Sequence, residues 1–435
     1  MTPVECGIAG LVAVCVLLAL RLPIGLALGG VAFVGIWYLR DVGVALAMLR
    51  IVPFDYAARW EFAALPMFLL MGAFAHHSGI STAIFRAARI WLGALPGGLA
   101  VASNFGCAGF AAASGSSLVT AAVMGRITIP EMIAARYDKG LAAGTLAAAG
   151  TLGSMIPPSL LMVLFGVFTE TSINKLLVAG FLPGILTAVA YAAMIMIRCK
   201  LKPELAPPLP ERIDWALRMR VLGDVWPLVA LILGIMGGLY GGIFTATEAA
   251  AVGALLAFAI VIVQGRMTMK VFIDSTFEAA AAMGRIFFMV IGAVLLTKFL
   301  AMTGLPSVFA RAMGPWAADP LMVVLGTLAI YLILGMFLDP IGIMLLTLPF
   351  LLPMFKATHI DMIWMGVLII KFLEIGLITP PVGMNVFVIK SVVGDTVELT
   401  TIFRGICWFL VCEVFVVALL IFFPEISTGI PSLME

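Results

Sequence analysis

Charge is scarce in this 435-residue chain. Asp, Glu, Lys and Arg make up 11% of it, against about a quarter in a soluble domain. Beside 63% hydrophobic residues, that leaves too little polar surface for an ordinary water-soluble enzyme, and the chain reads as an integral membrane protein. Histidine is scarcer still: His76 and His77 close an apolar run and His359 lies in a polar loop, positions that favour inert interfacial roles over a proton relay. The six cysteines have neither CxxC nor Cys/His spacing and read as small buried hydrophobes rather than a metal or disulfide framework. No phosphate-cradling loop, CxxCH, HExxH or Gly-x-Ser-x-Gly elbow occurs, so nothing points to ATP hydrolysis, haem, zinc or acyl transfer. No catalytic residue is assigned, and any pumping must draw on an ion gradient. A net charge of +2 gives no electrostatic reason to expect nucleic acid.

What is present is apolar sequence in runs. A helix that crosses a bilayer needs about 20 largely apolar residues, and such runs lie at 4–20, 24–39, 62–78, 176–197, 225–240, 243–263, 284–304 and 402–423. The first lacks a basic leader and a small-residue cleavage pattern and reads as a span rather than a signal. Between the runs lie segments broken by Gly, Pro and Ser. Residues 97–127, two short legs around Ala113-Ser114-Gly115-Ser116-Ser117, read as a re-entrant hairpin. Residues 140–169 read as one crossing made of two half-helices, because Pro157-Pro158 at its centre removes N–H donors and disfavours continued helix.

The same pair recurs. Residues 321–353 form a second hairpin around Leu338-Asp339-Pro340-Ile341-Gly342, and 362–393 break at Gly376-Leu377-Ile378-Thr379-Pro380-Pro381. Gly153 and Gly376 stand 223 positions apart, an offset that also lays Pro157-Pro158 on Pro380-Pro381. The chain is therefore expected to be an all-α polytopic membrane protein built as an internal duplication. The first repeat is 1–200, the linker 201–224, the second repeat 225–423, and a tail occupies 424–435. Five crossings per half is an odd number, which inverts one half relative to the other. The linker, with Lys200 just before it and Lys202, Arg212, Arg218 and Arg220 within it, is cytoplasmic by the positive-inside rule. Ten crossings then put both termini on the periplasmic side.

Non-helical backbone at membrane depth is tolerated only where it is buried in protein or lines a wet cavity. Interrupted helices offer carbonyls at one half-helix end and N–H groups with a positive dipole at the other, which suit Na⁺ and carboxylates respectively. The first expected Na⁺ site takes carbonyls of Gly153, Met155 and Pro158 with a hydroxyl from Ser114 or Ser116. The second takes Gly376, Ile378, Thr379 and Pro381, with Asp339 and Gly342 from the second hairpin. Charged residues inside spans are functional candidates by cost alone. Asp339 suits ion binding or helix capping equally; Glu248, three residues after Thr245, fits a capping box; Lys371 and Glu374, three apart on one helical face, fit a structural pair or a transport role.

The runs Gly150-Thr151-Leu152-Gly153-Ser154-Met155-Ile156-Pro157-Pro158-Ser159, Gly242-Ile243-Phe244-Thr245-Ala246-Thr247-Glu248 and Glu374-Ile375-Gly376-Leu377-Ile378-Thr379-Pro380-Pro381-Val382-Gly383-Met384-Asn385, with the first hairpin tip, closely resemble the large, DctM-like membrane subunit of tripartite ATP-independent periplasmic (TRAP) transporters, of the ion transporter superfamily. Ala246 departs from the proline usual there. The resemblance covers nearly the whole chain. It implies a non-enzymatic secondary transporter of the bacterial inner membrane that imports organic acids, C4-dicarboxylates or sialic acids, with Na⁺ as coupling ion and no organic cofactor. It implies two protein partners, a separate small subunit of about four helices and a periplasmic solute-binding protein. It also implies an elevator in which hairpins and broken helices move against a scaffold. The expected carboxylate pocket comprises Ser116, Ser117, Pro157, Thr379, Pro380, Gly383, Met384 and Asn385. Segments 42–60, 82–92 and 267–285 are expected to be amphipathic arms at the membrane surface. A stand-alone Na⁺/carboxylate symporter of the same architecture and a non-transporting membrane scaffold are the rival readings.

Overall fold

The computed structural model describes residues 1–207, 214–312, 314 and 319–434. Pro208–Pro210 and Arg212 of the linker, and Glu435 of the tail, lie outside the described residues. The first half runs α1 Pro3–Ala19, α2 Ile24–Leu39, α3 Val42–Ala57, α4 Ala64–Ser78, α5 Ile80–Leu92, α6 Gly98–Ser114, α7 Ser117–Ala134, α8 Lys139–Gly150, α9 Leu152–Met155, α10 Leu160–Thr169, α11 Ile173–Ala179 and α12 Phe181–Leu201. After α13, Trp215–Asp224, come α14 Trp226–Tyr240, α15 Ala246–Val263, α16 Met269–Thr303, α17 Leu305–Ala312, α18 Pro320–Gly335, α19 Pro340–Ala357, α20 Met362–Gly376, α21 Met384–Val393, α22 Leu399–Phe422 and α23 Glu425–Thr428. Among the described residues six helices are long and apolar enough to cross a membrane, and as many as nine if each bent pair counts as one span.

Capping chemistry sets many of the starts. Asp138, Ser159, Thr268 and Asp361 each accept a first-turn backbone N–H of α8, α10, α16 and α20, and Thr245 with Glu248 forms a capping box on α15. The hairpins turn at 115–116 and 336–339, and the half-helices part at 156–159 and 377–383. In the first broken crossing the two parts bend by 42°.

The 223-residue offset holds through the halves: α7 shifted by it superposes on α19, α8 on α20, and α2 on α15 within a residue or two. Packing repeats the exchange. α2 lies against α16 and α4 against α15, so each half's second helix meets the other half's next membrane helix, the reciprocal exchange that two related halves make. Small residues let these backbones close up: a side chain at Gly144 would put Cβ 2.7 Å from the Gly405 carbonyl carbon where α8 crosses α22, and one at Gly376 would put it 2.7 Å from the Gly335 Cα where α20 crosses α18.

Three details depart from the sequence reading. Residues 267–285 are not a separate arm, because α16 is one 35-residue helix. The matching stretch of the first half contains Pro53 and bends by 63° before α4, whereas the second half has Ala279–Ala282 there and no proline, so nothing interrupts the ladder. The second leg of the first hairpin continues to Ala134, beyond 127. The segment before α12 is a separate short helix, α11.

Candidate functional site

Both hairpin tips and both breaks converge on one small cavity. It has about 80 Å³ of accessible space, and its lining includes Ser116 and Ser117 from the first tip, Asp339 and Pro340 from the second, Ser154 beside the first break and Leu377 at the second. Shifted by 223, Ser116 falls on Asp339, Ser117 on Pro340 and Ser154 on Leu377. Equivalent positions of the two halves therefore face each other across the cavity, which lies on the pseudo-symmetry axis of the repeat.

Local sequence puts these atoms there. Gly115 turns the first tip with φ +63°, which glycine adopts without a steric penalty. Its carbonyl accepts the Leu160 N–H at 3.3 Å, and a Cβ on it would stand 2.6 Å from the Pro158 carbonyl oxygen, so tip and break touch. A Cβ on Gly153 would stand 2.5 Å from the Ser116 carbonyl oxygen and 2.6 Å from Thr120 Oγ1. Ser114 Oγ lies 2.6 Å from Thr120 Oγ1. Neutral oxygens of Ser114, Ser116 and Thr120 thus gather at Gly153, with Pro158 adding its carbonyl at the tip.

A second polar group backs the cavity. Ser117 Oγ donates to Glu374 Oε2 at 2.6 Å and lies 2.8 Å from Ser154 Oγ. Glu374 is buried, and its Oε1 has no hydrogen-bond partner among the described residues. Ser116 places no side-chain cap on α7, so the first amides of that 18-residue helix start uncapped at the cavity, while Asp339 caps α19 by accepting the Ile341 and Gly342 N–H groups at 3.0 and 3.1 Å.

The other expected site residues are placed elsewhere around this centre. The Met155 carbonyl approaches Gly180 at the α11–α12 junction, and Pro157 and Pro158 are buried. Ile378 is buried, and Thr379 Oγ1 donates to the Ile375 carbonyl at 2.6 Å. Pro380 and Pro381 are exposed, Gly383 takes φ +60°, and Met384 is half-buried. Asn385 is fully buried and donates from Nδ2 to the Ala147 carbonyl at 3.1 Å, which ties the second break to α8 of the first half. Gly342 sits in the first turn of α19 with its N–H on Asp339.

Lys371 and Glu374 do not pair. Lys371 Nζ lies 2.7 Å from Glu413 Oε2 on α22 and donates to Thr187 Oγ1 on α12 at 2.9 Å. Tyr191 OH donates to Glu413 as well. Glu374 turns the other way, to Ser117. Both partnerships cross between helices far apart in sequence, so three-residue spacing on one helix could not reveal them. Thr120 and Ser154 carried no signal beyond being small polar residues near the tip and the break. Glu374 was signalled only by the cost of a carboxylate in an apolar helix.

A family model described as the DctM component of the tripartite ATP-independent periplasmic transporter matches residues 11–426. The chain belongs to that family. Its relatives are transporter permeases, not enzymes. It is 34% identical over 385 residues to the C4-dicarboxylate TRAP transporter large permease protein DctM of Pseudomonas aeruginosa, covering 88% of this chain and 89% of that one. It is 32% identical over 420 residues to the sialic acid TRAP transporter large permease protein SiaM of Vibrio cholerae, covering 96% of each. Against the isethionate TRAP transporter permease protein DctMQ of Oleidesulfovibrio alaskensis it is 33% identical and spans 58% of that longer protein. The YdaH transporter of Alcanivorax borkumensis shares the fold, with a TM-score of 0.59 and 14% identity over 90% of this chain and 91% of that one. The chain is thus a multi-pass TRAP permease.

Proposed function

We propose that this permease imports an organic acid with Na⁺ coupling, and that the cavity between the two hairpin tips holds one carboxylate of the solute. The observation that carries the reading is the convergence of equivalent tip positions from both halves on that cavity. Uncapped amides at the start of α7, with the helix dipole behind them, supply donors for an anion, and Ser116 adds a hydroxyl, while the Ser117 proton is committed to Glu374. The cavity is well below the roughly 300 Å³ of an ordinary small-molecule site, so it takes a carboxylate end and leaves the rest of the solute to surrounding structure. That fits a family whose named relatives carry C4-dicarboxylates and sialic acid.

The oxygen cluster at Gly153 suits a hard cation, because its donors are neutral hydroxyl and carbonyl oxygens. Ser114, Ser116, Thr120, Gly153 and Pro158 would hold Na⁺, which when bound supplies positive charge beside the first tip and a reason for solute and ion to favour the same state. At the second break the equivalent atoms are otherwise engaged, Gly376 against Gly335 and Asp339 on its helix. The weight of the reading therefore falls on the first.

The chain divides into the two repeats joined by the segment around α13, which carries Arg218 and Arg220 and is placed in the cytoplasm, with both termini periplasmic. Hairpins and broken helices form the moving body, and α1, α2, α14 and α15 the scaffold of an elevator in the bacterial inner membrane. A small four-helix subunit and a periplasmic solute-binding protein complete the system. Ser116→Cys tests the site: alkylation of that thiol slows when the transported acid and Na⁺ are present together, and an unchanged rate in a transport-competent variant removes Ser116 from it.

A further inference from the structure

Away from the tips, α5, α13 and the end of α15 enclose a second, polar cleft of about 460 Å³. Its lining includes Ser78, Gly79, Thr82, Arg86, Asp224 and Arg266. We propose that this cleft binds the phosphate headgroup of an anionic phospholipid.

Charge is the first argument. Among the described residues that line it, Arg86 and Arg266 are the cations and Asp224 the one anion, an excess of one positive charge. Arg86 reaches Asp224 only at 3.8 Å, with both side chains about half exposed. The Arg266 guanidinium has neither ion pair nor hydrogen bond among the described residues, while its backbone N–H donates to the Val261 carbonyl at 3.0 Å. Its guanidinium lies across Gly79, where any Cβ would collide with it, and Gly79 has φ +78°. Gly79 closes α4 in the left-handed conformation, and its missing side chain leaves room for this exposed guanidinium. α5 begins there; the Ile80 N–H is taken by Ser78 Oγ at 3.2 Å, and the N–H groups of Ser81 and Thr82, without a side-chain cap from Gly79, add the positive end of a dipole.

The surroundings select a lipid over a free anion. Trp226 belongs to the cleft lining. At the other ends of α5 and α13, Trp91 and Trp215 stack edge to face at 6.2 Å, with the Arg218 guanidinium 5.0 Å from the Trp215 ring. Tryptophan and arginine together mark the headgroup level of a membrane. Leu222, Val263 and Met269 nearby are exposed apolar side chains, which offer acyl chains a surface next to the phosphate site. The lipid would join α5, which leads into the first hairpin, to the linker helix α13 and to the end of α15.

The test is native mass spectrometry of the purified full-length permease with phosphatidylglycerol or phosphatidylethanolamine of matched chains. Phosphatidylglycerol should be retained in excess, and Arg266→Gln and Arg86→Gln should each lower that retention by about fivefold, while Asp224→Asn raises it and Arg40→Gln, a charge-matched change elsewhere, leaves it unaltered. Thermal melting confirms that each variant is folded. Millimolar inorganic phosphate should not displace the lipid. Equal retention of the two lipids, unchanged retention in the arginine variants, an equal loss in Arg40→Gln, or displacement by inorganic phosphate would each overturn the proposal.

Discussion

Gly153→Ala is the smallest change that presses on the first hairpin tip. Its Cβ would stand 2.5 Å from the Ser116 carbonyl oxygen and 2.6 Å from Thr120 Oγ1, where ordinary contact begins at 3.4 Å. Tip and break must therefore separate by about 0.9 Å. Because the nearest atom is backbone, no rotamer change can absorb it, and overpacking of this kind costs about 1–3 kcal/mol. A displacement near 1 Å at a binding centre costs roughly 10²-fold, so the Na⁺ concentration for half-maximal thermal stabilisation of the purified protein should rise by at least about tenfold, with choline as the control cation. Gly326→Ala, where a Cβ meets nothing within 4 Å, should leave it unchanged. A folded Gly153→Ala protein with the parent's Na⁺ dependence would refute the assignment of Na⁺ to that break.

Lys371→Met should lower stability by about 3–5 kcal/mol, because it leaves Glu413 buried without its cation; in denaturant unfolding, Lys371→Met/Glu413→Met should recover most of the loss, and a double variant as unstable as the single contradicts this. Asp339→Asn should melt between the parent and Asp339→Ala, because its single amide oxygen replaces two carboxylate oxygens that accept the Ile341 and Gly342 N–H groups separately, and Asp339→Ala should lose about 1 kcal/mol; equal melting of all three would show that the cap contributes nothing. Ser117→Ala strips the buried Glu374 of its hydroxyl donor and should cost about 1–3 kcal/mol, with Ser117→Thr milder in the same melt.

The architecture was legible because its signals are local or periodic. Pro157-Pro158 and Pro380-Pro381 announce breaks by removing donors, Thr245 and Glu248 announce a helix start, and the common offset announces the duplication. Two kinds of feature were not legible. The first is pairing across space. Glu374 meets Ser117 257 positions away, and Lys371 meets Glu413, while Lys371 and Glu374 themselves, adjacent on one helix, look elsewhere. The second is continuity. An amphipathic stretch before a span reads alike whether it forms an arm or the start of a longer helix, and only Pro53 in one half against Ala279–Ala282 in the other decides it. The motif residue Asn385 shows the same limit, because its amide holds α8 rather than lining the cavity. The cavity lining became clear only when the two tips were seen to meet.

The central claim is carried most directly by uptake of a labelled organic-acid panel into proteoliposomes that contain this permease and its small subunit, with and without a Na⁺ gradient and the solute-binding protein. Uptake of one acid that needs all three, and that is abolished by Gly153→Val in correctly inserted protein, is the predicted result. Uptake that persists without Na⁺ or without the binding protein, or uptake that Gly153→Val leaves intact, contradicts the account.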